Sequence, residues 1–275
     1  LFIGENYLSN INLRGTLMVE KNLKSMFASS KLKVGHSIFE FDSPGMGQIM
    51  NAAGVDFVFL DMEHSGFSIS DIKRSITAMR AGNIPTLVRP PSSSYHHIAR
   101  VLDVGADGLI MPMVSSKEEV EHIISCMKYP PKGKRGVALG IAHDKYRQAD
   151  TVKALEDTNR RTALAVLIET KEGVDNIDDI ASSLGVDCLW IGHFDLSCSL
   201  GINGQFEHPD FVKAVNKVIK AAIKYNKALG QLVNDVESGL AFYKRSFDVI
   251  CYSGDVWVYQ RALAEGVNQI KVGCE

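Results

Sequence analysis

Two acidic side chains follow neighbouring apolar runs in the second half of the chain. Glu169 ends the run 162–169, and Asp195 comes shortly after the run 186–192. If these runs are consecutive parallel strands, both carboxylates lie at the same edge of a sheet and can converge on one point. Oxygen ligands with open positions for water and substrate suit Mg²⁺ or Mn²⁺, whereas zinc usually takes His or Cys. The alternative is that one acid caps the following helix and the other is solvated.

Three more polar side chains end the second and third apolar runs. Asp61 and His64 lie three residues apart at the end of the run 55–63, close enough for the carboxylate to orient the imidazole. Imidazole titrates near neutral pH, so this pair could act as a general base. Arg89 ends the next run and precedes two prolines, which fix the backbone behind a planar fork that suits a carboxylate or enolate oxygen. A scaffold histidine and a buried ion pair are the non-catalytic alternatives.

Apolar runs alternate with amphipathic stretches along the chain, which predicts βα units and a parallel sheet. The predicted strands are 33–40, 55–63, 84–89, 107–113, 162–169, 186–192, 228–233 and 248–253. A Gly-x-Asp signature precedes three of them, at Gly54, Gly105 and Gly185, where glycine would end a helix in the left-handed conformation. Eight consecutive units favour a closed barrel. The predicted fold is therefore an α/β (β/α)8 TIM barrel with its active site at the carboxyl ends of the strands.

The composition excludes several classes of protein. Lys plus Arg (30) nearly balances Asp plus Glu (32), so we expect no nucleic-acid partner. Apolar runs stop well short of the roughly 20 residues that a membrane span needs, so we expect no membrane association. The five cysteines are odd in number and form no C-x-x-C pair, which argues against a disulfide framework and a zinc knuckle. A cytoplasmic protein with reduced thiols fits best.

The domain organisation is simple. Residues 1–17 precede Met18, which begins a segment typical of a natural start, so we interpret 1–17 as a leader or an upstream extension. Residues 18–275 have a length typical of one α/β barrel domain. Residues 129–136 are rich in Pro, Gly and charge, and we predict that they form a long loop after the fourth strand, a candidate lid.

Several motifs together resemble the HpcH/HpaI aldolase family, whose members include 4-hydroxy-2-oxoheptanedioate and 2-dehydro-3-deoxyglucarate aldolases. The resemblance runs from about Val34 to the last helix. The motifs are Val55-Asp56-Phe57-Val58-Phe59-Leu60-Asp61-Met62-Glu63-His64, Leu102-Asp103-Val104-Gly105-Ala106, Met111-Pro112-Met113-Val114, Tyr129-Pro130-Pro131, Arg135-Gly136-Val137, Ile168-Glu169-Thr170 and Asp195-Leu196-Ser197.

The resemblance implies a phosphoenolpyruvate/pyruvate-type barrel and a class II aldolase that cleaves a 4-hydroxy-2-oxo acid to pyruvate and an aldehyde. It implies a divalent metal, Mg²⁺ or Mn²⁺ with Co²⁺ as a further option, and a homo-oligomer, a hexamer in which the C-terminal helix is exchanged between subunits. The implied site residues are Glu169 and Asp195 as metal ligands, His64 as base with Asp61 behind it, Arg89 over the ketone oxygen, and Phe194 (through its backbone) and Leu232 against pyruvate. No lysine ends a predicted central strand, unlike a Schiff-base aldolase.

Two departures from the family pattern leave other functions open. Leu167 stands where the family commonly has Gln, and His193-Phe194 replaces Pro and a small residue. One alternative is a metal-dependent decarboxylase of oxaloacetate resembling macrophomate synthase, because the same enolate forms from oxaloacetate. The other is a binding or assembly barrel that kept the fold and lost turnover.

Overall fold

The computed structural model describes residues 21–274, which form a closed barrel of eight parallel strands. Each strand pairs with the next one along the chain, and the last pairs with the first. The predicted (β/α)8 TIM barrel is confirmed. The predicted leader, residues 1–17, lies outside the described residues.

All eight predicted strands are present, with ends that differ by at most two residues. The strands are β1 (Lys33–Ile38), β2 (Phe57–Asp61), β3 (Thr86–Arg89), β4 (Gly108–Met111), β5 (Ala163–Ile168), β6 (Cys188–Ile191), β7 (Ala228–Val233) and β8 (Val249–Gly254). The helices are α1 (Leu23–Phe27), α2 (Met46–Ala52), α3 (Ile69–Ala81), α4 (Tyr95–Asp103), α5 (Lys117–Met127), α6 (Thr151–Arg161), α7 (Lys171–Asp175), α8 (Ile177–Ser182), α9 (His193–Ser199), α10 (Pro209–Tyr225), α11 (Val236–Lys244) and α12 (Asp255–Cys274). Within residues 21–274, none of these helices combines the length and hydrophobicity that crossing a bilayer requires.

Aromatic side chains fill the barrel interior. Because side chains alternate along a strand, Phe57 and Phe59 of β2 both point inward, where they pack edge-to-face on Trp190 of β6. The ring centroids lie 6.4 and 6.1 Å apart. Small residues make room for these rings, since a Cβ on Gly230 would lie 2.2 Å from the Trp190 ring and one on Gly35 would meet Phe57.

The larger apolar core lies between the strands and the surrounding helices. Leu60 of β2 and Ile72 of α3 are both fully buried in it. The helix starts follow the sequence prediction: Ser68 caps α3 in a reciprocal capping box with Asp71, and Ser116 begins α5 in the same way. The three glycines predicted to end helices also have the expected positive φ: 79° at Gly54, 111° at Gly105 and 107° at Gly185.

The structure corrects the prediction of a lid at residues 129–136. This segment follows α5 rather than β4, so it lies at the amino-terminal ends of the strands. Lys128, just before it, donates a hydrogen bond of 3.0 Å to the carbonyl of Thr162, directly before β5. Tyr129 and Arg135 are buried there. The segment is part of the barrel base, away from the carboxyl ends where a lid would close.

Asp255 organises the opposite end of the barrel, where β8 passes into α12. Its carboxylate is buried and accepts hydrogen bonds from the backbone N–H groups of Phe39, Glu40 and Phe41, 2.7 to 3.0 Å away. This acid therefore fixes the loop after β1 against the start of α12, and both segments contribute to the cavity described next.

Candidate active site

A cavity of about 640 Å³ lies at the carboxyl ends of the strands, within the size range of ligand sites. It contains most of the residues predicted for the site. The predicted residues that line it are His64, Arg89, Glu169, Phe194, Asp195 and Leu232. The polar side chains that were predicted to converge at the strand ends therefore line one cavity, while the role of each residue stays a prediction.

Asp61 and Arg89 form a buried bidentate ion pair. Arg89 Nε donates to Asp61 Oδ1 and Arg89 Nη2 donates to Asp61 Oδ2, each over 2.7 Å. The two residues are register partners on β2 and β3, which places their side chains next to each other on the same face. Such a fork-to-fork pair fixes the plane of the guanidinium.

This pairing corrects the predicted Asp61–His64 dyad. The Asp61 carboxylate accepts hydrogen bonds from the backbone N–H groups of Glu63 (2.9 Å) and His64 (3.2 Å), but its side-chain partner is Arg89 rather than the imidazole. The physical reason is register: Arg89 is the register partner of Asp61 on the adjacent strand, so its guanidinium lies beside the carboxylate. Asp61 therefore shapes the loop that carries His64 and orients Arg89.

Glu63 is the carboxylate that lies beside the His64 ring. Its Oε2 is 3.7 Å from His64 Nε2 and 3.1 Å from Arg89 Nη1. Burial raises the pKa of Glu63, and the positive charge of Arg89 partly opposes that shift. The sequence interpretation gave Glu63 no role, although it stands in the same strand-end motif.

Glu169 is nearly buried at the end of β5. Its Oε1 accepts a hydrogen bond of 2.6 Å from the backbone N–H of Met113. Its Oε2 lies against Gly192, where an added Cβ would be 2.2 Å away. Burial raises the pKa of Glu169 to about 7, and the negative charges of Asp195 and Glu63 add to the shift. The carboxylate thus sits in a place where its negative charge needs compensation.

Asp195 lies in the first turn of α9 and faces the same cavity as Glu169. The described residues contain no cluster of three or more His, Cys, Asp or Glu side chains arranged around one point. Two carboxylates still fit a hard divalent cation whose remaining positions are taken by water and substrate. The burial of Glu169 agrees with a cation at this place, and the lack of a side chain at Gly192 makes room for the Glu169 carboxylate itself.

Comparison with known proteins assigns the chain to one family. The sequence matches the family model of HpcH/HpaI aldolase/citrate lyase over residues 40–260. The chain belongs to this family. The resemblance seen in the sequence is therefore confirmed, and the protein is a carbon–carbon lyase.

Relatives and solved structures agree with this assignment. The 5-keto-4-deoxy-D-glucarate aldolase of Shigella boydii serotype 18 (strain CDC 3083-94 / BS512) is 29% identical over 248 residues, which cover 90% of this chain and 95% of the relative. An HpcH/HpaI aldolase from Desulfitobacterium hafniense DCB-2 matches with a TM-score of 0.86 and 30% identity, over 91% of this chain and 97% of that one. Macrophomate synthase matches with a TM-score of 0.79 and 25% identity, over 92% of this chain and 90% of that one.

Both departures from the HpcH/HpaI pattern lie at the site. Leu167 is buried and lines the cavity two residues before Glu169, where the family resemblance would place an amide. His193 also lines it, and its Nδ1 is 2.9 Å from Nε2 of Gln231. Burial lowers the pKa of His193, which favours the neutral ring. Its neighbour Phe194 has 57% of its surface exposed and adds an apolar wall.

The sequence analysis missed cavity residues that come from loops, from the end of β8 and from α12. These are Phe39, Asn234, Ser253, Trp257 and Arg261. None of them ends an apolar run with an acidic, basic or imidazole group, and the one charged residue among them, Arg261, lies inside α12. The spacing of Trp257 and Arg261, four residues apart on one helix face, was the available signal.

Proposed function

We propose that the protein is a divalent-metal-dependent class II aldolase that reversibly cleaves a 4-hydroxy-2-oxo acid to pyruvate and an aldehyde. The observation that carries this proposal is that the two candidate cation ligands line one cavity with the two candidate catalytic side chains. The ligands are Glu169 and Asp195, and the catalytic pair is His64 and Arg89.

Glu169 and Asp195 are the residues that would hold the cation, with Mg²⁺ or Mn²⁺ preferred by an oxygen donor set and Co²⁺ as a further option. When bound, the cation would polarise the ketone carbonyl of the substrate as a Lewis acid. The chain's own part is to orient Glu169: the Met113 N–H binds its Oε1 and favours the ionised form, and the lack of a side chain at Gly192 makes room for its Oε2.

Arg89 and His64 supply the remaining chemistry of cleavage. The bond between carbons 3 and 4 breaks, its electron pair stays on carbon 3 as the pyruvate enolate, and the 4-hydroxyl loses a proton as the aldehyde forms. Arg89, held in plane by Asp61, donates hydrogen bonds to the enolate oxygen. His64 at the cavity wall accepts the hydroxyl proton. A proton from solvent water then adds to carbon 3 and completes the methyl group of pyruvate.

The residues that line the cavity in the described part of the chain include no lysine, so they offer no amine for a Schiff base. The named relative agrees with the substrate type. Numbered from its keto end, 5-keto-4-deoxy-D-glucarate is a 2-oxo acid with a hydroxyl on carbon 4, the pattern that this cleavage requires.

The decisive experiment compares Glu169→Ala with the native enzyme. Mn²⁺ titration by calorimetry and exchange of solvent deuterium into the methyl group of pyruvate report the cation and the enolate separately. We expect Glu169→Ala to lose both while its far-ultraviolet circular dichroism is unchanged. Glu172→Ala, an exposed acid three residues further along, is the matched control and should keep both. Full exchange activity in Glu169→Ala would remove the assignment.

The structural similarity to macrophomate synthase keeps oxaloacetate decarboxylation as a second candidate, since loss of CO₂ from oxaloacetate gives the same enolate. Parallel assays with oxaloacetate and with a 4-hydroxy-2-oxo acid separate the two. A binding barrel without turnover is the third candidate, supported by the apolar Leu167 at the site. This third candidate is supported only if Mn²⁺ and pyruvate bind and no deuterium enters the methyl group of pyruvate.

We also propose that the enzyme is a homo-oligomer in which α12 packs against another subunit. Among the described residues of α12, only Asp255 is buried. The exposed apolar side chains of this helix are Trp257, Tyr259, Leu263, Val267, Ile270 and Val272. A face of this kind usually covers or is covered by another surface. Light scattering that shows a monomer would reject the oligomer, and the family resemblance makes a hexamer the expected state.

A further inference from the structure

Arg261 brings a second arginine to the cavity from a different side of the barrel than Arg89. It lies on α12, one helical turn after Trp257, and both side chains line the cavity. Arg89 comes from β3, whereas Arg261 is anchored near the ends of β7 and β8. The cavity therefore has two cationic positions supplied by separate elements.

Neutral groups hold the Arg261 side chain in place. Nη1 donates to the carbonyl of Asn234 over 3.0 Å, and Nη2 donates to the hydroxyl of Tyr252 over 3.1 Å. The guanidinium carbon also lies 6.0 Å from the centre of the Tyr252 ring. These contacts orient the guanidinium without neutralising its charge. Because an arginine has five N–H donors, several of them remain available to a ligand.

The two arginines differ in what balances their charge. Arg89 contacts the carboxylates of both Asp61 and Glu63. Among the residues that the structure describes, Arg261 has no carboxylate within the 4.0 Å of an ion pair. Asp235 is close enough for Arg261 to lower its pKa, but its oxygens already accept hydrogen bonds from the N–H and hydroxyl of Ser238 at the start of α11.

We propose that Arg261 binds a carboxylate at the far end of the substrate and so selects aldehydes that carry an acidic group. This assignment rests on the proposed aldolase function. The 2-oxo acid end of the substrate belongs with Glu169, Asp195 and Arg89. A second carboxylate then needs a cation of its own, and the planar fork of an oriented arginine matches it.

The surroundings of Arg261 fit the chain that would join the two ends. Trp257 packs on Phe39 with ring centroids 5.0 Å apart, and both line the cavity as an apolar wall. A Cβ on Gly254 would lie 2.8 Å from the Trp257 ring, so this glycine permits the arrangement. The site thus offers a polar end, an apolar wall and a cationic end, which suits a dicarboxylic 4-hydroxy-2-oxo acid.

The test compares acceptors of equal carbon number in the direction of synthesis from pyruvate. The acceptors are 4-oxobutanoate, which carries a terminal carboxylate, and butanal, which does not. For Arg261→Gln we expect kcat/KM for 4-oxobutanoate to fall about 10- to 100-fold, because a charge-assisted hydrogen-bonded pair is lost. The kcat/KM for butanal should change less than about twofold. Arg261→Lys should lie between native and Gln. Arg245→Gln, which removes an arginine bonded to Asn216 on the outside of the barrel, is the control and should change neither.

Deuterium exchange into the pyruvate methyl group separates the two possible failures, because it needs no acceptor. Native enzyme and Arg261→Gln should exchange at equal rates. If the native enzyme exchanges but does not prefer 4-oxobutanoate over butanal, or if Arg261→Gln loses both acceptors equally or neither, the role of Arg261 is overturned and the aldolase proposal stands. If the native enzyme does not exchange at all, the proposed function fails, and the assignment of Arg261 fails with it.

Discussion

Arg89 and Asp61 face each other across neighbouring strands with two hydrogen bonds of 2.7 Å, and the pair is buried at the floor of the cavity. The arginine thus reaches the site with its plane already set. A third contact, from Nη1 to Glu63, adds to this arrangement. The catalytic role proposed for Arg89 therefore depends on an acid that need not touch the substrate.

Asp61→Asn keeps the shape of the side chain and removes its charge, so it tests this dependence. Breaking this buried ion pair leaves Glu63 as the remaining carboxylate beside the arginine charge, and we expect the free energy of unfolding to fall by about 3 kcal/mol. Loss of the oriented donors should lower the rate of pyruvate deuterium exchange about 100- to 1000-fold. Urea denaturation and the exchange rate measure the two effects. Asp42→Asn, which breaks an ion pair with the exposed Arg74, should lower the free energy of unfolding much less than Asp61→Asn does and leave exchange unchanged.

Gly192→Ala tests the space beside Glu169. The new Cβ would lie 2.2 Å from Glu169 Oε2, so the carboxylate must move out of its place. We expect Mn²⁺ affinity and exchange activity to fall together by about 10- to 100-fold, the range seen when the support of a metal ligand is disturbed. Gly45→Ala is the control, because nothing lies within 4 Å of its Cβ and its φ of −81° suits alanine. Equal Mn²⁺ affinity in Gly192→Ala and native enzyme would show that Oε2 does not bind the ion.

The barrel and the position of its site could be predicted from the sequence because both follow from periodic patterns. Eight apolar runs with glycine signals before several of them specify the βα units, and polar residues that end those runs must gather at one end of a closed barrel. Predicted strands extended too far mainly because apolar residues such as Val55 and Met113 continue beyond the last paired residue. The loop 129–136 was placed at the wrong end of the barrel. Its composition predicts a loop but does not say whether that loop follows a strand or a helix.

The contacts inside the site could not be predicted in the same way. Two partners were available to Asp61, an imidazole three residues along the chain and a guanidinium on the next strand. The register between β2 and β3, which places Arg89 beside Asp61, determines that Asp61 pairs with the guanidinium. Arg261 was missed because its contacts with Asn234 and Tyr252 join residues separated by 27 and 9 positions, and no local pattern marks them.

Gly230 and Trp190 contact each other across β7 and β6 in the core, another contact that no local sequence pattern predicts, and the pair gives a further prediction. An alanine at position 230 would place its Cβ 2.2 Å from the Trp190 ring, so Gly230→Ala should lower the free energy of unfolding by about 1–3 kcal/mol through overpacking. The double variant Gly230→Ala/Trp190→Phe has room for the new methyl group. Its loss, measured by urea denaturation, should be smaller than the sum of the two single losses. Strictly additive losses would show that the two side chains do not compete for the same space.

Lys128 predicts how stability depends on pH at the barrel base. Its ammonium is buried and donates to the carbonyls of Asn159 (2.8 Å) and Thr162 (3.0 Å), and burial lowers the pKa of Lys128 to about 8 from an ordinary value of 10.5. Below pH 8 both the folded and the unfolded chain hold the proton, so the cost of the buried charge is fully present. Between pH 8 and 10.5 the folded chain releases the proton while the unfolded chain keeps it, so the free energy of unfolding must rise with pH.

Lys128→Met lacks this titration, so the stability of the native enzyme relative to Lys128→Met should increase by about 3 kcal/mol across that window. Urea denaturation at pH 7, 8, 9 and 10 measures the difference. Lys153→Met, at an exposed position of α6, is the matched control and should show no such rise. Because other groups titrate equally in the native enzyme and in Lys128→Met, their contributions cancel in the comparison. A difference that stays flat or decreases from pH 8 to 10 would mean that the ammonium is not desolvated in the folded protein, since desolvation alone gives the slope its positive sign.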